Sequence, residues 1–132
     1  MSPSELQNSF PDLMQASSGT YGRFATVYNQ SAVIQYNFYN GFLRDIDVSF
    51  DTANISLEQA TSNFDLIQTM LSRDYGQMPQ YTAHTLSPTG ADQDYRTSEK
   101  WMGLVEIVHV LSIKNHKPNE YFYLSLGGPL DE

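Results

Sequence analysis

The sequence predicts an α+β fold, with two helices on one face of an antiparallel sheet in the order α-β-β-β-α-(β)-β-β. Three observations carry that prediction. Ser2-Pro3-Ser4-Glu5 and Ser56-Leu57-Glu58-Gln59 each open a helix. Strand-like runs follow both openings. Asn40-Gly41 sits between two of those runs as a hairpin turn.

The first helix takes Ser2 as its cap and Pro3 as its first helical residue. Glu5 reaches back to complete a capping box. Leu6 and Phe10 lie one turn apart and face the core, and Pro11 ends the helix. Residues 14–20 are small and polar and read as a loop. Tyr21 to Tyr28 is a strand, Asn29-Gln30-Ser31 a turn, and Ala32 to Phe38 and Phe42 to Phe50 are the strongest strands.

The register of that last hairpin follows from its faces. A two-residue Asn40-Gly41 loop sets Ile34 opposite Asp47 and Tyr36 opposite Asp45, which mixes apolar and acidic side chains. A three-residue loop, Tyr39-Asn40-Gly41, sets Phe38 opposite Phe42, Ile34 opposite Ile46 and Ala32 opposite Val48. The second is favoured, because a one-residue slip exchanges the two faces. Gly41 then takes a positive φ in a bulged turn. Arg44 falls opposite Tyr36, with its stem over the ring and its head in water. The other face carries Val33, Gln35, Asn37 and Tyr39, then Leu43, Asp45, Asp47 and Ser49, and reads as wet.

The second helix is the clearest element. Leu57, Ala60, Phe64, Ile67, Leu71 and Tyr75 form one stripe, Ser56 and Gln59 make the cap pair, and Gly76 stops it. Residues 77–100 have no clear period. Tyr81 to Leu86 reads as a short strand and 87–98 as a loop. Trp101 to Ile113 reads as one long strand, with Val105, Ile107, His109, Leu111 and Ile113 on one face. After a turn over 115–119, Glu120 to Leu126 returns with Phe122, Leu124 and Leu126 on the apolar side. Tyr121, Tyr123 and Ser125 lie on the other side, and the tail from Gly127 is loose.

At 132 residues the chain, 1–132, reads as a single domain. Its 7 basic and 15 acidic residues give a formal charge of −8, which repels phosphate backbones and argues against nucleic-acid binding. That charge also suits a basic partner. There is no cysteine, so disulfides and thiolate metal sites are excluded. No apolar run is long enough for a transmembrane segment, and no signal peptide is read at the start. Met1 lies directly against a helix cap, as if a longer chain had been cut there.

Motifs that carry chemistry are not found. His84, His109 and His116 lack the spacing of a zinc protease, and His109 reads as a hydrogen-bonded core histidine. Asp92 and Asp94 alternate as in a calcium loop, without its glycine and terminal glutamate. Asp45 and Asp47 share a strand face about 7 Å apart, and read as solvated acids rather than an acid–base pair. Nucleophile elbow, phosphate loop and dinucleotide fingerprint are all missing. No enzyme, catalytic residue, cofactor or metal site is expected.

The opening Met1-Ser2-Pro3-Ser4-Glu5-Leu6, the hairpin Asn40-Gly41-Phe42-Leu43, the helix end Leu71-Ser72-Arg73-Asp74-Tyr75-Gly76 and Trp101 at the head of a closing strand carry a resemblance. The chain resembles the superfamily of the beta-lactamase inhibitory protein and the small outer-membrane assembly lipoproteins. It departs from the inhibitory protein in having no cysteines, and it lacks a lipoprotein cysteine. The resemblance implies a non-enzymatic envelope or secreted protein that binds another protein on its sheet, in the periplasm or outside the cell. The candidate protein-binding residues are Gln35, Asn37, Tyr39, Asp45, Asp47, Tyr121 and Tyr123. The alternative is a cytoplasmic, acidic immunity-type or adaptor protein that neutralises a basic partner. An enzyme with an unrecognised site ranks third.

Overall fold

The structure is a computed structural model and describes residues 2–86, 95–102, 105–114 and 117–125. Helix α1 spans Pro3–Ser9 behind the expected capping box. Ser2 Oγ accepts from the Glu5 amide at 3.2 Å, and Glu5 Oε1 accepts from the Ser2 amide at 3.0 Å. Four strands follow, β1 (Met14–Ser17), β2 (Thr20–Val27), β3 (Gln30–Tyr39) and β4 (Phe42–Phe50). Helix α2 (Leu57–Tyr75) then leads into β5 (Tyr81–Leu86), β6 (Tyr95–Trp101), β7 (Glu106–Lys114) and β8 (Lys117–Ser125). The chain is thus a helix and a four-stranded meander, run twice.

The eight strands form one antiparallel sheet in the order β1-β2-β3-β4-β8-β7-β6-β5. The last strand of each half meets the other at the centre, with Asp47 opposite Tyr123 and Val48 opposite Phe122. The first strands, β1 and β5, form the two edges. Both helices cover the same face. Leu6 of α1 joins Ile67 and Leu71 of α2 in a core with Ile34, Tyr36, Val48, Phe50 and Phe122. Ala60 and Phe64 pack with Leu111 and Ile113 in a second cluster. The stripe on α2 is therefore core, as its spacing predicts, and Gly76 caps it with φ +87°.

Two strands differ from the sequence reading. Residues 14–17, expected as loop, form β1. All four are exposed, so no alternation in burial marks them as a strand. Residues 95–101 form β6, although 87–98 reads as a loop and Trp101 as the head of a long strand. On β6 the core-facing Thr97 and Glu99 are polar, so the expected apolar alternation is missing. The loop over 87–94, the tail 127–132 and residues Asp92, Asp94 and His116 lie outside the described residues.

The Asn40-Gly41 hairpin resolves the register problem in a third way. Tyr39 pairs with Phe42, so the loop has two residues, and both take positive φ, +52° at Asn40 and +82° at Gly41. That is the type I′ turn favoured by strand twist. A β-bulge at Arg44 then restores apolar pairing, with Ile34 opposite Val48 and Tyr36 opposite Ile46. Phe42 consequently leaves the core face, and Leu43 joins it opposite Phe38. Arg44 lies 5.6 Å from the Tyr39 ring rather than over Tyr36.

A side chain added at Gly41 would meet no atom within 4 Å, so any cost there is a backbone cost. Gly41→Val is expected to lower folding stability by about 1–3 kcal/mol through its β-branched side chain at positive φ. Gly41→Asn should cost clearly less. Urea unfolding of both variants checks this, and equal losses would contradict the assignment.

Candidate functional site: the open face of the sheet

Side chains on one face of a sheet alternate with those on the other, and residues paired across strands share a face. The face away from the helices therefore carries Gln35, Asn37 and Tyr39 of β3, Asp45 and Asp47 of β4, and Tyr121 and Tyr123 of β8. All seven sequence-predicted residues come together on one surface spanning three adjacent strands. Leu43, also read as part of this face, does not, because of the bulge.

Asn37 organises the centre. Its Nδ2 donates to Asp45 Oδ1 and to Asp47 Oδ2, the latter at 3.0 Å. Its Oδ1 accepts from Gln35 Nε2 at 3.2 Å and from Thr20 Oγ1 at 3.3 Å. One amide thus bridges two carboxylates, which are half-buried rather than freely solvated. Burial raises the Asp47 carboxyl above the usual range. The Asn37 hydrogen bond opposes that rise, and the neighbouring Asp45 charge adds to it. Tyr123 is also pushed up, first by burial and then by Glu106 and Tyr121, against the pull of Lys100 and Arg96. Lys100 pairs with Glu106 at 3.5 Å beyond the tyrosines.

The sequence reading placed Val33 and Tyr39 on this face and missed the rest of its apolar part. Among the described residues nine large apolar or aromatic side chains are exposed, and six of them, Met14, Phe24, Val33, Tyr39, Phe42 and Tyr81, lie here. Phe24 is 79% exposed and Met14 70%. Met14, Gly22, Phe24 and Val33 line a groove of about 440 Å³ beside edge strand β1, with Asp12 at its margin. Val110 is the exception on this face and is fully buried.

Phe24 was hidden by its turn. A turn over 29–31 sets Phe24 opposite Tyr36, facing the core. The observed turn is Tyr28-Asn29, both at positive φ, and sets Phe24 opposite Val33. Tyr28 is an unusual residue for that conformation, and its hydroxyl donates to Asp74 of α2 at 2.7 Å. Burial and that hydrogen bond push the Tyr28 hydroxyl up to about 12.

Among the described residues no group of three His, Cys, Asp or Glu side chains is arranged to hold a metal ion, and no helix is long and apolar enough to cross a membrane. The chain matches no family model, no curated protein and no solved structure.

Proposed function

We propose that the chain is a non-enzymatic protein-binding module of the bacterial envelope or secreted fraction, and that it binds through the open face of its sheet. One observation carries the site: among the described residues, the exposed Met14, Phe24, Val33, Tyr39 and Phe42 of β1 to β4 lie on the same face as the Asp45–Asp47 pair. Contiguous exposed apolar surface bordered by polar groups marks interaction sites. Tyrosine adds contact area at low entropic cost, and Asn37 and Gln35 add adaptable hydrogen bonds. The envelope setting rests on the sequence resemblance.

The second reading, a cytoplasmic protein that neutralises a basic partner, draws support from Asp45 and Asp47. Two half-buried carboxylates share one amide donor, and burial disfavours the charge on Asp47. A lysine or arginine of a partner would relieve that cost. The two readings share a face and differ in compartment.

The test uses a partner captured by the wild-type chain and then titrated as a purified protein. Tyr39→Ala and Tyr121→Ala are each expected to weaken binding by more than about 1 kcal/mol while leaving the unfolding midpoint nearly unchanged. Glu58→Ala and Asp65→Ala, exposed on α2 on the opposite side, serve as controls and should leave affinity unchanged. Substitutions that lower stability and spare the affinity would move the site elsewhere.

A further inference from the structure

Beneath α2, three adjacent strands place a row of titratable side chains in the core. His109 of β7 is 0% exposed, Glu99 of β6 is 3% and Glu120 of β8 is 0%. Both ring nitrogens are engaged. His109 Nδ1 lies 3.0 Å from Glu99 Oε1, and Nε2 lies 2.8 Å from Glu120 Oε2. Helix α2 closes the row from above. Phe64 stacks face to face on the imidazole at 4.1 Å and 12°, and Gln68 Nε2 donates to Glu99 Oε2. Trp101 and Phe122 complete the ring of aromatic neighbours. Glu120 Oε1 is buried and has no hydrogen-bond partner among the described residues.

A neutral imidazole has one N–H and one lone pair. With a carboxylate oxygen at each nitrogen, that lone pair would face negative charge. With both glutamates ionised, both contacts are hydrogen bonds only when both nitrogens carry a proton, and that arrangement is the imidazolium. Burial opposes the charge, but the hydrogen bonds and charges of Glu120 and Glu99 outweigh it and raise the His109 pKa. These two glutamates are the charged groups that face His109. Among the described residues, helix α2 meets this row with the uncharged Phe64 and Gln68.

The other half of the chain offers an internal comparison. There Phe10, just past α1, stacks on Tyr36 of β3 at 6.2 Å and 26°, and Arg23 Nε donates to the Tyr36 hydroxyl at 3.0 Å. In both halves a phenylalanine lies on a ring from the third strand, Phe10 at the end of α1 and Phe64 within α2. Only the second half puts a histidine there.

We propose that Glu99, His109 and Glu120 form a proton-operated clamp that fastens α2 to β6, β7 and β8, engaged while His109 holds its second proton and loosened when that proton leaves. The sign follows from linkage. A histidine whose folded pKa lies above the unfolded value, about 6.5, contributes stability that is complete below that value. The contribution is lost as pH rises through the raised folded pKa. Loss of the proton leaves a lone pair against a carboxylate under Phe64 and Gln68, so the loosening is local to α2 and its half of the sheet.

Two measurements on the whole chain decide it. Nitrogen-15 NMR of the histidine rings at pH 7 is expected to show His109 with both nitrogens protonated. A single neutral tautomer at that pH overturns the proposal even if every variant misfolds. Hydrogen-exchange protection factors, corrected for intrinsic rates, are expected to fall across α2 as pH rises through the His109 titration. Those of β2 and β3 should hold steady. His109→Phe keeps an aromatic partner for Phe64 and removes the titration, so its α2 protection should no longer respond in that range. An α2 response that persists in His109→Phe, or a wild-type loss shared equally by β2 and β3, overturns the clamp.

Discussion

Replacing Phe64 by alanine is expected to lower folding stability by about 3–5 kcal/mol, the range for removing a buried phenylalanine. Phe64 is 6% exposed and packs with Ala60, Leu111 and Ile113, so its removal leaves a cavity between α2 and β7. It also uncovers the imidazole on which it stacks. Phe64→Leu keeps most of the volume and should cost less, about 1–2 kcal/mol. Leu66 lies two residues away on the same helix but is 43% exposed, and Leu66→Ala should stay within about 0.5 kcal/mol. Urea unfolding followed by the single tryptophan reads all three, and an unchanged slope would mark the loss as one of stability alone. A loss below about 0.5 kcal/mol for Phe64→Ala would show that α2 is not docked through this ring.

The parts of the fold that were legible in the sequence are those whose signal is local. The α2 stripe repeats at helical spacing because one face is buried, and Ser2, Ser56, Pro3 and Gly76 mark helix ends by the chemistry of unpaired backbone groups. The open-face residues were legible for a similar reason: alternation puts Gln35 with Asn37 on β3 and Asp45 with Asp47 on β4, and matching the apolar faces of the two strands brings the four together. The bulge was not legible. A two-residue turn alone gives the wrong register, and only an extra residue at Arg44, invisible to periodicity, reconciles the turn with the core. A positive φ at Gly41 suits either loop length, so that expectation held although the three-residue register did not.

The buried row on β6, β7 and β8 was half legible. His109 reads correctly as a core histidine from its apolar neighbours. Glu99 and Glu120 are glutamates, which are almost never buried without a partner, and the partner lies on another strand. Their burial can be explained only after the register of three strands is known. The same fact hid β6. A strand whose core face presents Thr97, Glu99 and Trp101 has no run of apolar alternation, so its one strong core residue reads as the head of the following strand.

That core residue supports the second large expectation. Trp101→Ala should cost about 3–5 kcal/mol from the vacated volume, with about 1 kcal/mol more from a lost hydrogen bond. The indole is 0% exposed, and its Nε1 donates to the Gln77 carbonyl at 3.0 Å. Gln77 follows the end of α2, so the ring ties the helix exit to the end of β6. The surrounding chain is strapped by further bonds. The Met102 amide donates to Gln80 Oε1 at 2.6 Å, and the Gln80 amide donates to the Lys100 carbonyl at 2.9 Å. Trp101→Phe separates the two contributions. It keeps an aromatic ring in the site but leaves the Gln77 carbonyl without its donor, and should cost about 1–3 kcal/mol. Thermal unfolding followed by far-ultraviolet circular dichroism measures both variants, since neither retains tryptophan fluorescence. In the wild-type chain the same burial predicts a blue-shifted emission that moves to the red on unfolding. A native emission already at the position of a solvated indole, or a Trp101→Ala loss below about 1 kcal/mol, would remove Trp101 from the core and with it the seam between α2 and the second half of the sheet.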